Sequence, residues 1–240
     1  MTETRGVAEH YRRANLGAVI LAALDAAGKD IDHLTPDDLA PIDELHSRGR
    51  EATVDLARSL KLKGDETVLD LGCGIGGPSR YLAKTYGCRI TGLDLTPEFC
   101  EAAAMLAERT GLAHKVDYRQ GDALATSFAD GSFDIVWSQN VAMNIADRDR
   151  LYGEMRRVLR SGGKLALQEV AVGPGGDPHY PVQWAHEPST SFLLTQQATR
   201  EKLEMAGFRV LVWQDTTAEA RQAAHAPAMS KDRRRSWGRT

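Results

Sequence analysis

The amino-acid sequence predicts an α/β protein, a doubly wound and mostly parallel sheet with an N-terminal helical cap. Three observations carry this. Segments that read as strands at Thr67 to Leu71, Arg89 to Leu93, Val116 to Gln120, Phe133 to Ser138 and Lys164 to Val172 alternate with helix-like segments, a pattern that calls for parallel strands joined by crossover helices on both faces. The first run ends in Asp70-Leu71-Gly72-Cys73-Gly74-Ile75-Gly76-Gly77, directly before a helix-like segment starting at Pro78. Glycines there let the backbone turn tightly and approach a ligand, to which the helix presents its N-terminal amides. Residues 1–62, ahead of that run, read as helices, and 63–217 as the ligand-binding domain. Residues 218–240 form a polar, basic tail in which Lys231-Asp232-Arg233-Arg234-Arg235 is read as solvated.

Composition limits the function classes. With 240 residues, 42% hydrophobic and 26% charged, the chain can bury a full core, which excludes a disordered or fibrous protein. A net charge of −3 gives no electrostatic case for nucleic acid or an anionic membrane, so a small-molecule partner is expected. Cys73, Cys88 and Cys100 lack metal-type spacing, so no metal site is expected. No signal-like segment or membrane-length apolar run is present in the sequence, and a reduced, cytoplasmic protein is expected. Its oligomeric state is left open.

Taken in order, Val7 to Ala27 carries Tyr11, Leu16, Val19, Ile20, Leu21 and Leu24 at amphipathic-helix spacing. This helix is expected to lie over the glycine site. Thr35-Pro36-Asp37-Asp38 reads as the N-cap, first-turn proline and first-turn acids of a short helix. Pro41 is expected to reset the chain, with Ile42 to Leu60 forming a longer helix that carries His46, Arg48, Arg50 and Glu51. Further helices are expected over Pro78 to Tyr86, after a Thr96 cap resembling that of Thr35, over Asp147 to Arg160 up to Ser161-Gly162-Gly163, and over Thr195 to Ala206 up to Gly207. Arg209 to Gln214 reads as a sixth strand. Between the last two strands, Gly173 to Pro178 breaks regular structure, and His179 to Phe192 reads either as a substrate lid or as a surface connection whose aromatics pack on the body.

Gly72, Gly74 and Gly77 satisfy the G-x-G-x-x-G spacing of dinucleotide sites, so the glycines alone leave the ligand open. Asp70, two residues before the first glycine, would repel a pyrophosphate but can accept from the ammonium of a methionine moiety. Asp94 ends the second strand, where a carboxylate takes ribose hydroxyls in either kind of site. Gly121-Asp122-Ala123 places an acid and a small residue where an adenine amino group would be read, and this discriminates most. Together they favour S-adenosylmethionine over a nicotinamide cofactor.

At these residues the sequence resembles the class I S-adenosylmethionine-dependent methyltransferases, with their Rossmann-like fold. The resemblance lies in Val68 to Gly77, Gly92-Leu93-Asp94-Leu95, Gly121-Asp122-Ala123, Phe133 to Trp137 and Val158 to Gly163, and spans roughly residues 5–217. Gly76-Gly77-Pro78-Ser79-Arg80-Tyr81-Leu82-Ala83 is similar to the small-molecule branch with sarcosine/dimethylglycine N-methyltransferases and tocopherol and quinone-biosynthesis methyltransferases. The resemblance implies that Asp70, Gly72 and Gly74 line the methionine and ribose, Asp94 and Leu95 the ribose and adenine edge, and Asp122 and Ala123 the adenine. Gln139 and Asn140 would lie beneath the reacting sulfonium.

The Asp/Asn-Pro-Pro-Tyr/Phe motif of amide and nucleobase amine methyltransferases is absent after the fourth strand, where Ser138-Gln139-Asn140-Val141-Ala142-Met143-Asn144 stands. Tyr11, Met143, Asn144, Tyr180 and Trp184 are the candidate acceptor contacts, and His46 and His179 the candidate bases. Methylation of a small amine or amino acid ranks ahead of C- or O-methylation of an aromatic or quinone-like ring. The alternatives are an impaired, non-catalytic remnant of the cofactor site and an NAD-dependent oxidoreductase. The resemblance also implies a seventh, antiparallel strand, and nothing after Ala218 has strand character, so that strand is expected to be missing.

Overall fold

In the computed structural model, residues 15–44 and 46–225 are described. Tyr11, the start of the first expected helix and the Arg233-Arg234-Arg235 cluster lie outside them. Helices α1 (Leu16–Ala26), α2 (Pro36–Asp43) and α3 (Arg50–Leu60) precede strand β1 (Thr67–Leu71). The chain continues through α4 (Gly77–Tyr86), β2 (Arg89–Asp94), α5 (Pro97–Arg109), β3 (Val116–Gln120), β4 (Phe133–Gln139), α6 (Arg148–Val158), β5 (Leu159–Gln168), α7 (Gln196–Met205) and α8 (Thr217–His225). None of the described helices is long and apolar enough to cross a membrane.

The five strands form one sheet in the order β3-β2-β1-β4-β5, with every pairing parallel. Side chains alternate across it, as the two-residue period of a strand requires. Val68, Ile90, Ile135 and Trp137 face α3, α4 and α5, while Leu69, Leu71, Leu93 and Val136 face α6 and α7. Helices thus cover both faces of a Rossmann-like sheet. On the outer side of α5, Leu16, Ile20 and Leu24 of α1 and Leu39 of α2 pack with Ala102 and Leu106.

Several local expectations are corrected. Pro41 does not reset the chain but sits inside α2, whose capping box joins Thr35 and Asp38 by bonds of 3.2 and 3.0 Å. The next helix starts at Arg50 rather than Ile42. Arg48 and Gly49 adopt φ of 68° and 50°, outside the helical region, while the buried Glu44 binds side chains on both sides of that bend. Thr96 makes no side-chain cap, because it is drawn to Asp94 instead. The helix expected to run to Arg160 ends at Val158, and Leu159 opens β5 opposite Phe133. Strand β5 ends at Gln168 rather than Val172, which instead bridges Thr195.

The largest correction concerns the sixth strand. Arg209 to Gln214 forms neither helix nor strand and pairs with no strand among the described residues, so the sheet has five strands there. β propensity is expressed only where a neighbouring ladder exists, and the next element in the chain is helix α8 rather than a strand.

Candidate functional site

Parallel strands deliver their last residues to one edge of the sheet, and the site is built there. Asp70 of β1 lies opposite Gly92 of β2 and Trp137 of β4. The glycine turn comes directly after, with φ of 77° at Gly72, 53° at Gly74 and 80° at Gly76. Gly72 and Cys73 donate to the Leu93 carbonyl, at 2.7 and 3.1 Å, tying the turn to the end of β2. A β-carbon on Gly72 would strike Val141, whereas one on Gly74 would meet nothing within 4 Å. The backbone at Gly74 therefore faces open space.

Asp94 holds this edge together. One carboxylate oxygen accepts from Gly74 N and the other from Thr96 N, both at 2.9 Å. Its own carbonyl accepts from Gly121 N at 2.8 Å, joining the ends of β2 and β3. Asp122 accepts from Leu124 N at 2.8 Å, which shapes the turn carrying Ala123. Asp70 is 2% exposed and accepts from the Ser79 hydroxyl at 2.5 Å. Burial, reinforced by the charges of Asp94 and Glu44, raises its carboxyl to about 7, and burial raises that of Asp94 as well. Among the described residues no cation pairs with either acid. A donor set of this kind fits a cationic ligand, and S-adenosylmethionine carries a sulfonium and an ammonium.

At the end of β4, Gln139 is at the centre of a buried polar network. Its side-chain oxygen accepts from the Trp137 indole at 3.0 Å and the Thr53 hydroxyl at 3.2 Å, and its amide donates to Gln168 at 2.7 Å. Thr53 also bonds Glu44 at 2.7 Å, and Glu44 meets His46 Nε2 at 2.9 Å and Arg50 at 2.6 Å. Burial opposes the Glu44 charge, but the bonds from His46 and Thr53 and the Arg50 charge outweigh it, and its carboxyl is lowered. His46 thus lies in the bend before α3, not on a helix, with its imidazole against a buried carboxylate. Asn140 comes next to Gln139 with φ 53°, and its buried side-chain oxygen has no partner among the described residues.

Glu169 directs its carboxylate to the turn after β4, accepting from Ala142 N at 3.2 Å, with the Val141 and Met143 amides alongside. Burial raises it to about 7. That turn carries Met143 and Asn144, both buried. The Asn144 amide donates to the carbonyls of Trp184 and Thr190 at 2.9 and 2.8 Å, Phe192 N donates to the Met143 carbonyl at 2.7 Å, and Arg148 donates to the Phe192 carbonyl at 2.9 Å. These bonds fasten the segment expected as a lid to the carboxyl end of β4. Trp184 is half-buried, its indole bonded to Ser191 at 3.0 Å, while Tyr180 is partly buried and His179 is exposed.

The strand-end residues Asp70, Gly72, Gly74, Asp94, Asp122, Gln139 and Asn140 therefore share the carboxyl edge expected of them. Tyr11 lies outside the described residues. Sequence reasoning missed Glu44, Thr53 and the pair Asp43 and Arg80, because no periodicity marks a side chain whose partner is distant in the chain.

Residues 69–167 match the family model described as a methyltransferase domain. These residues are thus similar to a methyltransferase domain, a family whose solved members bind S-adenosylmethionine. The chain is 38% identical over 143 residues to a sarcosine/dimethylglycine N-methyltransferase of Halorhodospira halochloris, covering 59% of this chain and 50% of that protein. It is 41% identical over 105 residues to a probable chloroplastic tocopherol O-methyltransferase of Oryza sativa subsp. japonica, covering 44% and 29%. The chain thus spans half or less of the length of these relatives. A solved geranyl diphosphate C-methyltransferase of Streptomyces coelicolor A3(2) superposes with TM-score 0.72 over 96% of this chain and 89% of that one, and at 19% identity the likeness is one of fold.

Proposed function

We propose that the chain transfers a methyl group from S-adenosylmethionine to a small-molecule acceptor. The observation that carries this is the pair of acids, the buried Asp70 and the half-buried Asp94, flanking a glycine turn with no cation of the described protein against them. When bound, the cofactor supplies a methyl group on an already activated sulfonium. The protein's part is to position the reactants and exclude water. In this reading Asp94 takes the ribose hydroxyls beside Leu95, Asp122 and Ala123 take the adenine, and Asp70, Gly72 and Gly74 take the methionine and ribose. Gln139 and Asn140 lie beneath the reacting centre, where the Asn140 side-chain oxygen offers an unused acceptor.

Met143, Asn144, Tyr180 and Trp184, with Tyr11, form the acceptor side, and the polar tether of Asn144 to 184–190 keeps the segment over it. His46 takes the acceptor's proton where one must leave, and Glu44 stabilises the resulting imidazolium. His179, exposed on its segment, is the second candidate base. A small amine or amino acid ranks first as acceptor, supported by the sarcosine/dimethylglycine relative, and an aromatic or quinone-like ring second. The unpaired segment 209–214 favours a second reading, a cofactor-binding protein without turnover.

Calorimetry with S-adenosylhomocysteine tests the cofactor site. Release of S-adenosylhomocysteine across a panel of small amines, amino acids, phenols and quinols tests turnover. Binding with turnover on one acceptor class supports the proposal, binding without turnover on any of them supports the second reading, and absence of binding overturns both.

A further inference from the structure

The turn that follows β4 is built around a carboxylate from a neighbouring strand end. The amides of Val141, Ala142 and Met143 donate to no backbone carbonyl among the described residues. Ala142 and Met143 are buried, so these donors need another acceptor. Glu169, one residue past β5, supplies it, accepting from Ala142 N at 3.2 Å with the Val141 and Met143 amides alongside. The residue as a whole is half-buried, but its second carboxylate oxygen is buried and makes no hydrogen bond among the described residues. Arg148, buried on α6, faces the carboxylate with its charge. Two other regions meet at this turn. On one side Val141 lies against Gly72, where a β-carbon would strike it. On the other, Met143, Asn144 and Arg148 hold the backbone of Trp184, Thr190 and Phe192. Glu169 has no hydrogen bond to either region among the described residues, so its influence on them passes through the turn.

We infer that Glu169 is a positioning residue, which by holding the amides of 141–143 keeps the glycine turn and the segment 184–192 in a fixed relation to each other. The glycine turn is the cofactor side and 184–192 the acceptor side of the proposed methyl transfer, on which this assignment rests. Without the carboxylate, the buried amides of the turn have no acceptor, and the turn gains by opening towards water. Opening it draws Val141 away from Gly72 and loosens the hold of Met143 and Asn144 on 184–192 in the same movement. The link is reciprocal. A ligand seated on the glycine turn favours the state with Val141 in place, and so steadies 184–192.

Hydrogen exchange of the full chain, read by mass spectrometry, tests this. Without ligand, the amides of 184–192 should exchange about tenfold faster in Glu169→Ala than in the wild type, a larger change than in β1 or β2. Glu169→Gln, which keeps one oxygen for the turn but not the charge, should fall between the two, and it carries the test if Glu169→Ala does not fold. S-adenosylhomocysteine should slow exchange of 184–192 in the wild type and not in the variant, a link that a carboxylate serving stability alone would leave intact. Wild-type rates at 184–192 in Glu169→Ala, or in Glu169→Gln where the alanine variant does not fold, overturn the inference. Loss of protection spread evenly over the sheet overturns it equally, as does bound S-adenosylhomocysteine that leaves 184–192 of the wild type unchanged. Absence of S-adenosylhomocysteine binding overturns the proposed function instead, and the ligand-free rates still decide the role of Glu169.

Discussion

Arg80→Met should be among the costliest single changes in the protein. Arg80 and Asp43 have fully buried side chains and meet at 2.5 Å, and the other arm of the guanidinium donates to the Ile75 carbonyl within the glycine turn at 2.7 Å. The pair thereby ties α2 to the turn that forms the site. Methionine fills much of the same volume but leaves the Asp43 carboxylate buried without its counter-charge, which costs about 3–5 kcal/mol. For a chain of this size each kcal/mol lowers the thermal midpoint by roughly 2–4 °C, so a fall of about 6–20 °C is expected. Burial already raises the Asp43 carboxyl to about 6, and loss of Arg80 raises it further. The orphaned acid can escape its penalty by taking a proton, so the loss should be larger at about pH 8 than at about pH 5. Asp43→Ala in the same chain removes the stranded charge and should recover at least half of the loss. Differential scanning calorimetry of the single and double variants at both pH values measures this. A loss below about 1 kcal/mol for Arg80→Met, or single-variant costs that simply add, would rule out a buried charge pair of this strength.

Asp94→Ala should weaken S-adenosylhomocysteine binding by on the order of 1.5–3 kcal/mol, through loss of a charged acceptor; unchanged affinity in calorimetry puts Asp94 outside the site. Because the Asp70 carboxyl is raised to about 7 and a cationic ligand favours its ionised form, S-adenosylmethionine affinity should climb with pH through that value, with proton release on binding. Asp70→Asn should flatten that climb, and a variant that keeps the wild-type slope would assign the titration elsewhere. The same group opposes folding once ionised: its raised carboxyl stabilises the cofactor-free protein fully below about pH 4, and that contribution is lost as pH rises towards about 7, a decline that chemical denaturation at several pH values reads out. Gly76→Ala puts a β-carbon into the Tyr118 hydroxyl at φ 80°, and should destabilise by about 1–3 kcal/mol in thermal unfolding.

Much of the frame was legible in the sequence. The central strands β1 and β4 are buried apolar runs, as strands covered on both faces must be, and β1 to β4 lie within a residue of their expected bounds at either end, although β3 is a largely exposed edge strand. Parallel strands must end on one edge, which is why Asp70, Asp94, Asp122 and Asn140 could be placed on a common edge of the sheet from their positions alone. The resemblance to class I methyltransferases rested on those same strand ends, and the match over 69–167 falls there too.

Tertiary contact decided the rest. The bend at 44–49 arises from a buried Glu44 that binds His46, Arg50 and Thr53, and a helical pattern continues unbroken through it in the sequence. Thr96 has the composition of a cap, but Asp94 competes for it, which no local rule anticipates. Arg80 and Asp43 stand 37 residues apart, and Thr53 and Gln139 stand 86 apart, so neither partnership has a spacing to read. Arg209 to Gln214 has the residues of a strand, yet a strand exists only as half of a hydrogen-bonded pair. The order of residues dictates where chain segments are apolar and where the backbone turns, and hence the layered sheet and its acidic, glycine-lined edge. Which buried charges neutralise one another, and which extended segments find a neighbour, depends on the folded chain, because those energies arise between residues that only packing brings together.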